Sequence, residues 1–141
     1  MIVLRVNAEK PAPESIRLAA DALRRGELVV FPTETVYGLA ADALSEEAVR
    51  LVFEAKGRPQ GQALPVQVAE VEQLSGVVRE IPNAARVLAA RFWPGPLTIV
   101  LPKSATLPDV VSGGKDTIGV RVPDHPVALA LLREVARPIV A

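Results

Sequence analysis

Thirteen prolines punctuate this 141-residue chain and confine its apolar residues to short runs. That share is nearly twice the usual ~5%. Proline lacks a backbone N–H and disfavours helix at the residue before it, so long helices and broad strands cannot run through these positions. What fits between them is a series of short strands alternating with short helices, the pattern of a single α/β domain around a mixed sheet.

Residues 2–6 (IVLRV) read as a strand. From Glu14 to Arg25, Ile16, Ala19, Ala20 and Leu23 recur at helical spacing, and Gly26 follows as a stop. Leu28 to Phe31 is a continuous apolar run that breaks at Pro32, and a small polar stretch from Thr33 to Tyr37 leads to Gly38. Ser45 is an N-cap with Glu46 and Glu47 in the first turn of a helix reaching about Ala55. Lys56-Gly57-Arg58-Pro59 ends it and opens a polar loop. Leu64 to Val68 reads as a buried strand, Val71 to Leu74 as a helical turn, Pro82 to Arg91 as a helix and Leu97 to Leu101 as a central strand. Residues 103–116 are loop-like, Thr117 to Val122 is a strand, and Asp124 to Val135 is a helix with Pro126 near its first position. Ile139 and Val140 begin another apolar strand, so the expectation is a domain that continues past Ala141.

Half the residues are apolar, enough for a core and too many for a disordered chain. Sixteen basic residues balance sixteen acidic ones, which weighs against gripping nucleic acid as the main task, although a local basic groove is compatible with zero net charge. With no cysteine and a single histidine, His125, thiolate nucleophiles, disulfides and Cys- or His-rich metal centres are excluded. His125 stands between Asp124 and Pro126 at a helix start, a capping position without triad partners. The N-terminus carries no signal-peptide core and no apolar run nears the roughly 20 residues needed to cross a bilayer, so a soluble cytoplasmic protein is expected.

Four segments hold polar groups or glycines where a core gives way to loop. Phe31-Pro32-Thr33-Glu34-Thr35-Val36-Tyr37-Gly38 follows a strand, where ligands of open α/β sheets sit; it reads equally as a proline turn whose threonines bond their own backbone. Lys56-Gly57-Arg58-Pro59 can aim two cations at one polyanion, or form a solvated helix end. Arg91-Phe92-Trp93-Pro94-Gly95-Pro96-Leu97-Thr98 offers either an aromatic wall for a base or a packed corner of the core. Ser112-Gly113-Gly114-Lys115 lacks the spacing of a phosphate loop, but the alternation that follows puts Thr117, Gly119 and Arg121 on one strand face. An arginine on such a strand needs a ligand anion or a carboxylate partner from the protein. Cations, hydroxyls and glycines together suit phosphoryl or nucleotidyl transfer, where positioning and charge stabilisation do most of the catalysis.

In order, FPTETVYGLAADA, KGRPQGQALPV, FWPGPLTIVLP and TIGVRVPDHP resemble the YrdC-like family, the L-threonylcarbamoyl-AMP synthases that begin threonylcarbamoyladenosine synthesis for tRNA. The resemblance runs from about Ala19 to Ala141. It implies one YrdC-like domain over residues 1–141, lacking the C-terminal part of the family domain, with a twisted mixed sheet curved around a large, positively lined cavity. It also implies a nucleotidyltransferase that joins L-threonine, bicarbonate or carbon dioxide, and ATP into threonylcarbamoyl-adenylate and pyrophosphate. Mg²⁺ would be bound through the triphosphate rather than by protein side chains. Downstream tRNA-modification enzymes are the implied partners, with weak RNA binding in addition.

By the same resemblance, Lys56 and Arg58 contact the triphosphate and the carbamate as catalytic cations. Thr35 supplies a threonine-binding hydroxyl, with Thr33 and Tyr37 lining the same pocket. Thr117 matches a nucleotide-contacting position, and Arg121 matches the arginine that holds the threonine carboxylate. Three departures stand out. Gln67 occupies the place where many members put a histidine that touches threonine, and it bonds in both senses without carrying charge. Gln62 stands where an Asn often assists the nucleotide. The family's Ser-Ala-Asn motif would begin just after Ala141. Two rival readings are a paralogue acting on a different carbamoyl or amine substrate and a double-stranded RNA- or tRNA-binding module without catalysis.

Overall fold

The computed structural model describes residues 1–141. Pro13 opens helix α1 (Pro13–Arg24), where its missing N–H costs nothing, and Ile16, Ala20 and Leu23 turn inward at helical spacing. Strand β1 (Val29–Pro32) folds back through a tight turn into β2 (Tyr37–Asp42). The Ser45 side chain accepts from the Ala48 N–H to start α2 (Glu46–Lys56), and Gly57 ends it in the left-handed region. β3 (Val66–Gln67), a 3₁₀ turn at Val71–Leu74 and α3 (Asn83–Phe92) follow. Then come β4 (Ile99–Pro102), a short α4 (Asp109–Ser112), β5 (Thr117–Arg121), α5 (Pro126–Val135) and β6 (Ile139–Val140). His125 is the N-cap of α5, its Nδ1 accepting from the Val127 N–H, as its position in the sequence implies.

The six strands form one mixed sheet in the order β1-β2-β6-β3-β5-β4. Only β3 and β5 run parallel; every other neighbour is antiparallel. Side chains alternate between faces along each strand, and this divides the core in two. Ala41, Val66, Ile118, Val120 and Val140 pack on one face with α2, α3 and α4. Ala40 and Ile139 point the other way and meet α1 and α5 through Ala20, Leu23, Leu131 and Val135. The α1–α5 pair covers the second face only over β1, β2 and β6. On β3, β5 and β4 that same face carries Gln67, Thr117, Gly119, Arg121 and Val100, the last 64% exposed. No helix covers that half of the face, and it bears polar side chains, of which Thr117 is exposed, Gln67 buried and Arg121 partly buried.

Four expectations are corrected. Residues 2–6 form no strand; the run pairs with nothing and lies largely exposed. Residues 37–42, given no element in the sequence reading, form β2; its Gly-Leu-Ala-Ala core carries little strand preference of its own, and pairing with β1 and β6 supplies the order. The run 97–101 begins its ladder only at Ile99, because the Leu97 carbonyl accepts from the Trp93 indole, and β4 is an edge strand rather than a central one. The run 64–68 shortens to Val66–Gln67: the Leu64 N–H is donated to Val111 and Pro65 has none.

Candidate functional site

The predicted residues fall into two groups, one on the half of the sheet face that no helix covers and one in the loop after α2. The first centres on Arg121, at the end of β5. Gln67 of β3 lies directly beside it in the parallel register, and Gln67 is itself opposite Ile139 of β6. The Arg121 Nε donates to the Gly95 carbonyl at 2.9 Å, and one Nη2 donates to the Glu34 carboxylate. The other Glu34 oxygen accepts from the Asp124 N–H at 2.8 Å. These side chains are 12% and 22% exposed, so the pair is only partly screened by water. Three motifs distant in sequence thus meet: the turn after β1, the turn after α3 and the end of β5.

Each partner is held by local chemistry. At Gly95 an added Cβ would lie 2.4 Å from the Phe92 carbonyl oxygen, so only glycine fits; the Gly95 N–H donates to the Val122 carbonyl, tying the turn to the chain directly after Arg121. Trp93 packs against the core and donates to Leu97, so this segment is a packed corner rather than an aromatic wall. In the β1–β2 turn, the Thr33 hydroxyl donates to the Val36 carbonyl at 2.6 Å and accepts from the Val36 N–H. It also lies 3.0 Å from the Thr35 hydroxyl. Thr33 therefore shapes the turn, while Thr35 and Tyr37 are exposed beside it.

The second group is the loop after α2. Lys56 is exposed in the last helical turn, Gln62 is exposed in the loop, and Arg58 is half-buried with its Nη2 donating to the Ala63 carbonyl at 2.9 Å. The loop is seated on Gly113, whose left-handed φ of 64° brings it against Gly61; a Cβ there would lie 2.5 Å from the Gly61 oxygen. Thr117 is exposed at the start of β5, on the Arg121 face but four residues away. No hydrogen bond joins Lys56, Arg58 or Gln62 to the Arg121 group.

Two buried side-chain atoms in the chain have no hydrogen-bond partner in the protein: Arg58 Nε, a donor, and Gln67 Oε1, an acceptor. Most buried side-chain polar atoms in native folds have a partner, so each unpaired one calls for a ligand, an ion or an ordered water to meet it. Both atoms belong to residues singled out from the sequence. Two pockets, of about 280 and 400 Å³, lie elsewhere, beside Arg24, Asp42 and Arg137 and beside Val71, Ala89 and Pro94; no predicted site residue lines either. No cluster of three or more acidic or histidine side chains is placed to hold a metal. No helix is long and apolar enough to cross a membrane.

The family described as Telomere recombination, which groups Sua5, YciO and YrdC proteins, matches residues 21–141. The chain belongs to this family. A threonylcarbamoyl-AMP synthase of Pyrococcus abyssi is 56% identical over 126 residues, which cover 89% of this chain and 37% of that protein. One of Bacillus subtilis is 49% identical over 127 residues, 89% of this chain and 37% of its own length. The structure of P. abyssi Sua5 complexed with L-threonine aligns with a TM-score of 0.93 at 52% identity, covering 99% of this chain and 41% of that one. The chain thus spans well under half the length of these relatives.

Glu34 and the Gly95 carbonyl are the site groups that sequence reasoning missed. Part of the signal was present, since Arg121 needs an anion and Glu34 is the acid of the first motif. A pairing between residues 87 apart in sequence is set by the sheet, not by spacing.

Proposed function

We propose that this Sua5/YciO/YrdC domain forms L-threonylcarbamoyl-adenylate and pyrophosphate from L-threonine, bicarbonate or carbon dioxide, and ATP, the first step of threonylcarbamoyladenosine modification of tRNA. The observation that carries the reading is the pair of unsatisfied buried atoms, the Arg58 Nε in the loop after α2 and the Gln67 Oε1 beside Arg121 in the sheet. A buried donor and a buried acceptor left unpaired suit a ligand with both an anionic and a donating part. An amino acid and a triphosphate together meet that requirement. The likeness to synthases of two organisms and to a threonine complex supports the same choice.

In this reading Arg121 takes the threonine carboxylate and Gln67 Oε1 accepts from its hydroxyl or amine. Thr35 and Tyr37 line the edge of that subsite and Thr117 meets the nucleotide. The threonine amine adds to carbon dioxide, forming a C–N bond and releasing a proton, and the carbamate oxygen attacks the α-phosphorus of ATP as the bond to pyrophosphate breaks. Negative charge grows on the phosphate oxygens, and in this reading Lys56 and Arg58 are the fixed cations that lower the barrier, with Gln62 assisting the nucleotide. ATP enters as its Mg²⁺ complex; the ion is carried by the triphosphate and draws no ligand set from the chain. The product would pass to enzymes that modify tRNA.

Two measurements test this. Calorimetric titration with L-threonine is expected to show binding that disappears in Arg121→Ala, and pyrophosphate release from Mg²⁺-ATP is expected to require both threonine and bicarbonate. Release without a threonine requirement favours a paralogue with another amine. A folded chain that binds neither threonine nor ATP, but binds double-stranded RNA with a steep salt dependence, overturns the enzyme reading.

A further inference from the structure

We propose that Glu34 is the positioning residue of Arg121: it fixes the guanidinium before substrate arrives, and does so as part of a strut linking the β1–β2 turn to the entrance of α5. The inference rests on the reading that Arg121 receives the amino-acid carboxylate. Arg121 has five N–H donors in a rigid plane. Gly95 takes the one on Nε and Glu34 takes one on Nη2, while Nη1 makes no hydrogen bond within the chain. Two acceptors supplied by different turns fix both the position and the plane of the guanidinium, and leave Nη1 as the group offered to a ligand.

Glu34 could instead be a competitor that the substrate carboxylate displaces. Its second oxygen argues against that. It accepts from the Asp124 backbone N–H at 2.8 Å, so leaving Arg121 would mean either breaking a second charge-assisted bond or turning the carboxylate about a fixed point. The pair also joins segments 87 residues apart on a partly buried face, unlike the exposed Arg50–Glu46 pair within one helix. A long arginine side chain held in advance spares the ligand the cost of ordering it, which is where such a strut acts on affinity.

The test compares the wild-type chain with Glu34→Ala and Glu34→Gln, using calorimetry with L-threonine and with ATP, and ¹⁵N NMR of the Arg121 Nε–H. Threonine affinity is expected to fall about tenfold in Glu34→Ala, the scale of losing a hydrogen bond to a charged group. It should fall less in Glu34→Gln, whose amide oxygen still accepts one bond. ATP affinity is expected to be unchanged, and the Arg121 Nε–H should exchange with water faster in both variants. Tighter threonine binding in Glu34→Ala would mean Glu34 competes with substrate and overturns the proposal. Unchanged threonine affinity in both variants overturns it whatever the resonance does. If the wild-type chain itself binds no threonine, the functional reading falls; the Nε–H comparison then still decides whether Glu34 holds Arg121.

Discussion

Arg58 shows how a residue can serve a site at the expense of its own fold. Its Nε is buried without a partner, which costs roughly 1–3 kcal/mol for such a donor, while Nη2 recovers part of that through the Ala63 carbonyl. Arg58→Met keeps the stem and removes the unpaired donor. We expect its urea midpoint to match or exceed that of the wild type, while pyrophosphate release falls at least about a hundredfold for loss of a fixed cation at the transferring phosphate. A variant that retained turnover would remove Arg58 from the chemistry, and one that failed to fold would show that its role is structural. The same scale explains what could be read in advance. Arg121 stood out because a cation on an apolar strand has few reasons to be there, Arg58 because it follows Lys56 past a helix end, and Gln67 because the resemblance puts a histidine at its place. Thr33 could not be separated from a backbone turn former by type alone, and the structure assigns its hydroxyl to the turn.

At the level of elements, local signals were read well where the cause of the element is local. Pro13, Ser45, Gly57 and Pro126 each mark a helix end by satisfying or omitting a terminal backbone group, and all four helix boundaries lie within about a residue or two of expectation. Strands depended on partners the sequence does not display. Residues 2–6 have the composition of a strand and no neighbour, whereas residues 37–42 have weak preference and two neighbours. The loop that presents Arg58 is also held non-locally, by Gly113 against Gly61. Gly113→Ala forces a side chain into a left-handed backbone position, about 1–2 kcal/mol by itself, and drives a methyl into a carbonyl oxygen. The prediction is a lower denaturation midpoint together with faster tryptic cleavage after Lys56. Cleavage at the wild-type rate would mean that the loop does not depend on that seat.

For the whole molecule, the decisive feature is that helices pack along most of one sheet face and over only about half of the other. Motif order placed the site on strand ends and on β5, but which half of the sheet would lie bare follows from where α1 and α5 pack, which spacing does not reveal. The two cores are joined through β2 and β6, where neighbouring residues point to opposite sides: Ala40 and Ile139 to one, Ala41 and Val140 to the other. A strand two residues long at the centre of the sheet leaves no room for one face to unfold while the other stays packed. Ile139→Ala removes a fully buried side chain from the α1–α5 side and should cost about 2–5 kcal/mol. Trp93, the single tryptophan, packs against the opposite core and reports on it. In urea, the Trp93 fluorescence transition of Ile139→Ala is expected to shift by as much as the helical circular dichroism, although the substitution lies on the other face. A fluorescence midpoint that stayed at the wild-type value while the helical signal moved would mean that the two faces unfold separately, and that β6 does not couple the α1–α5 core to the core on the opposite face.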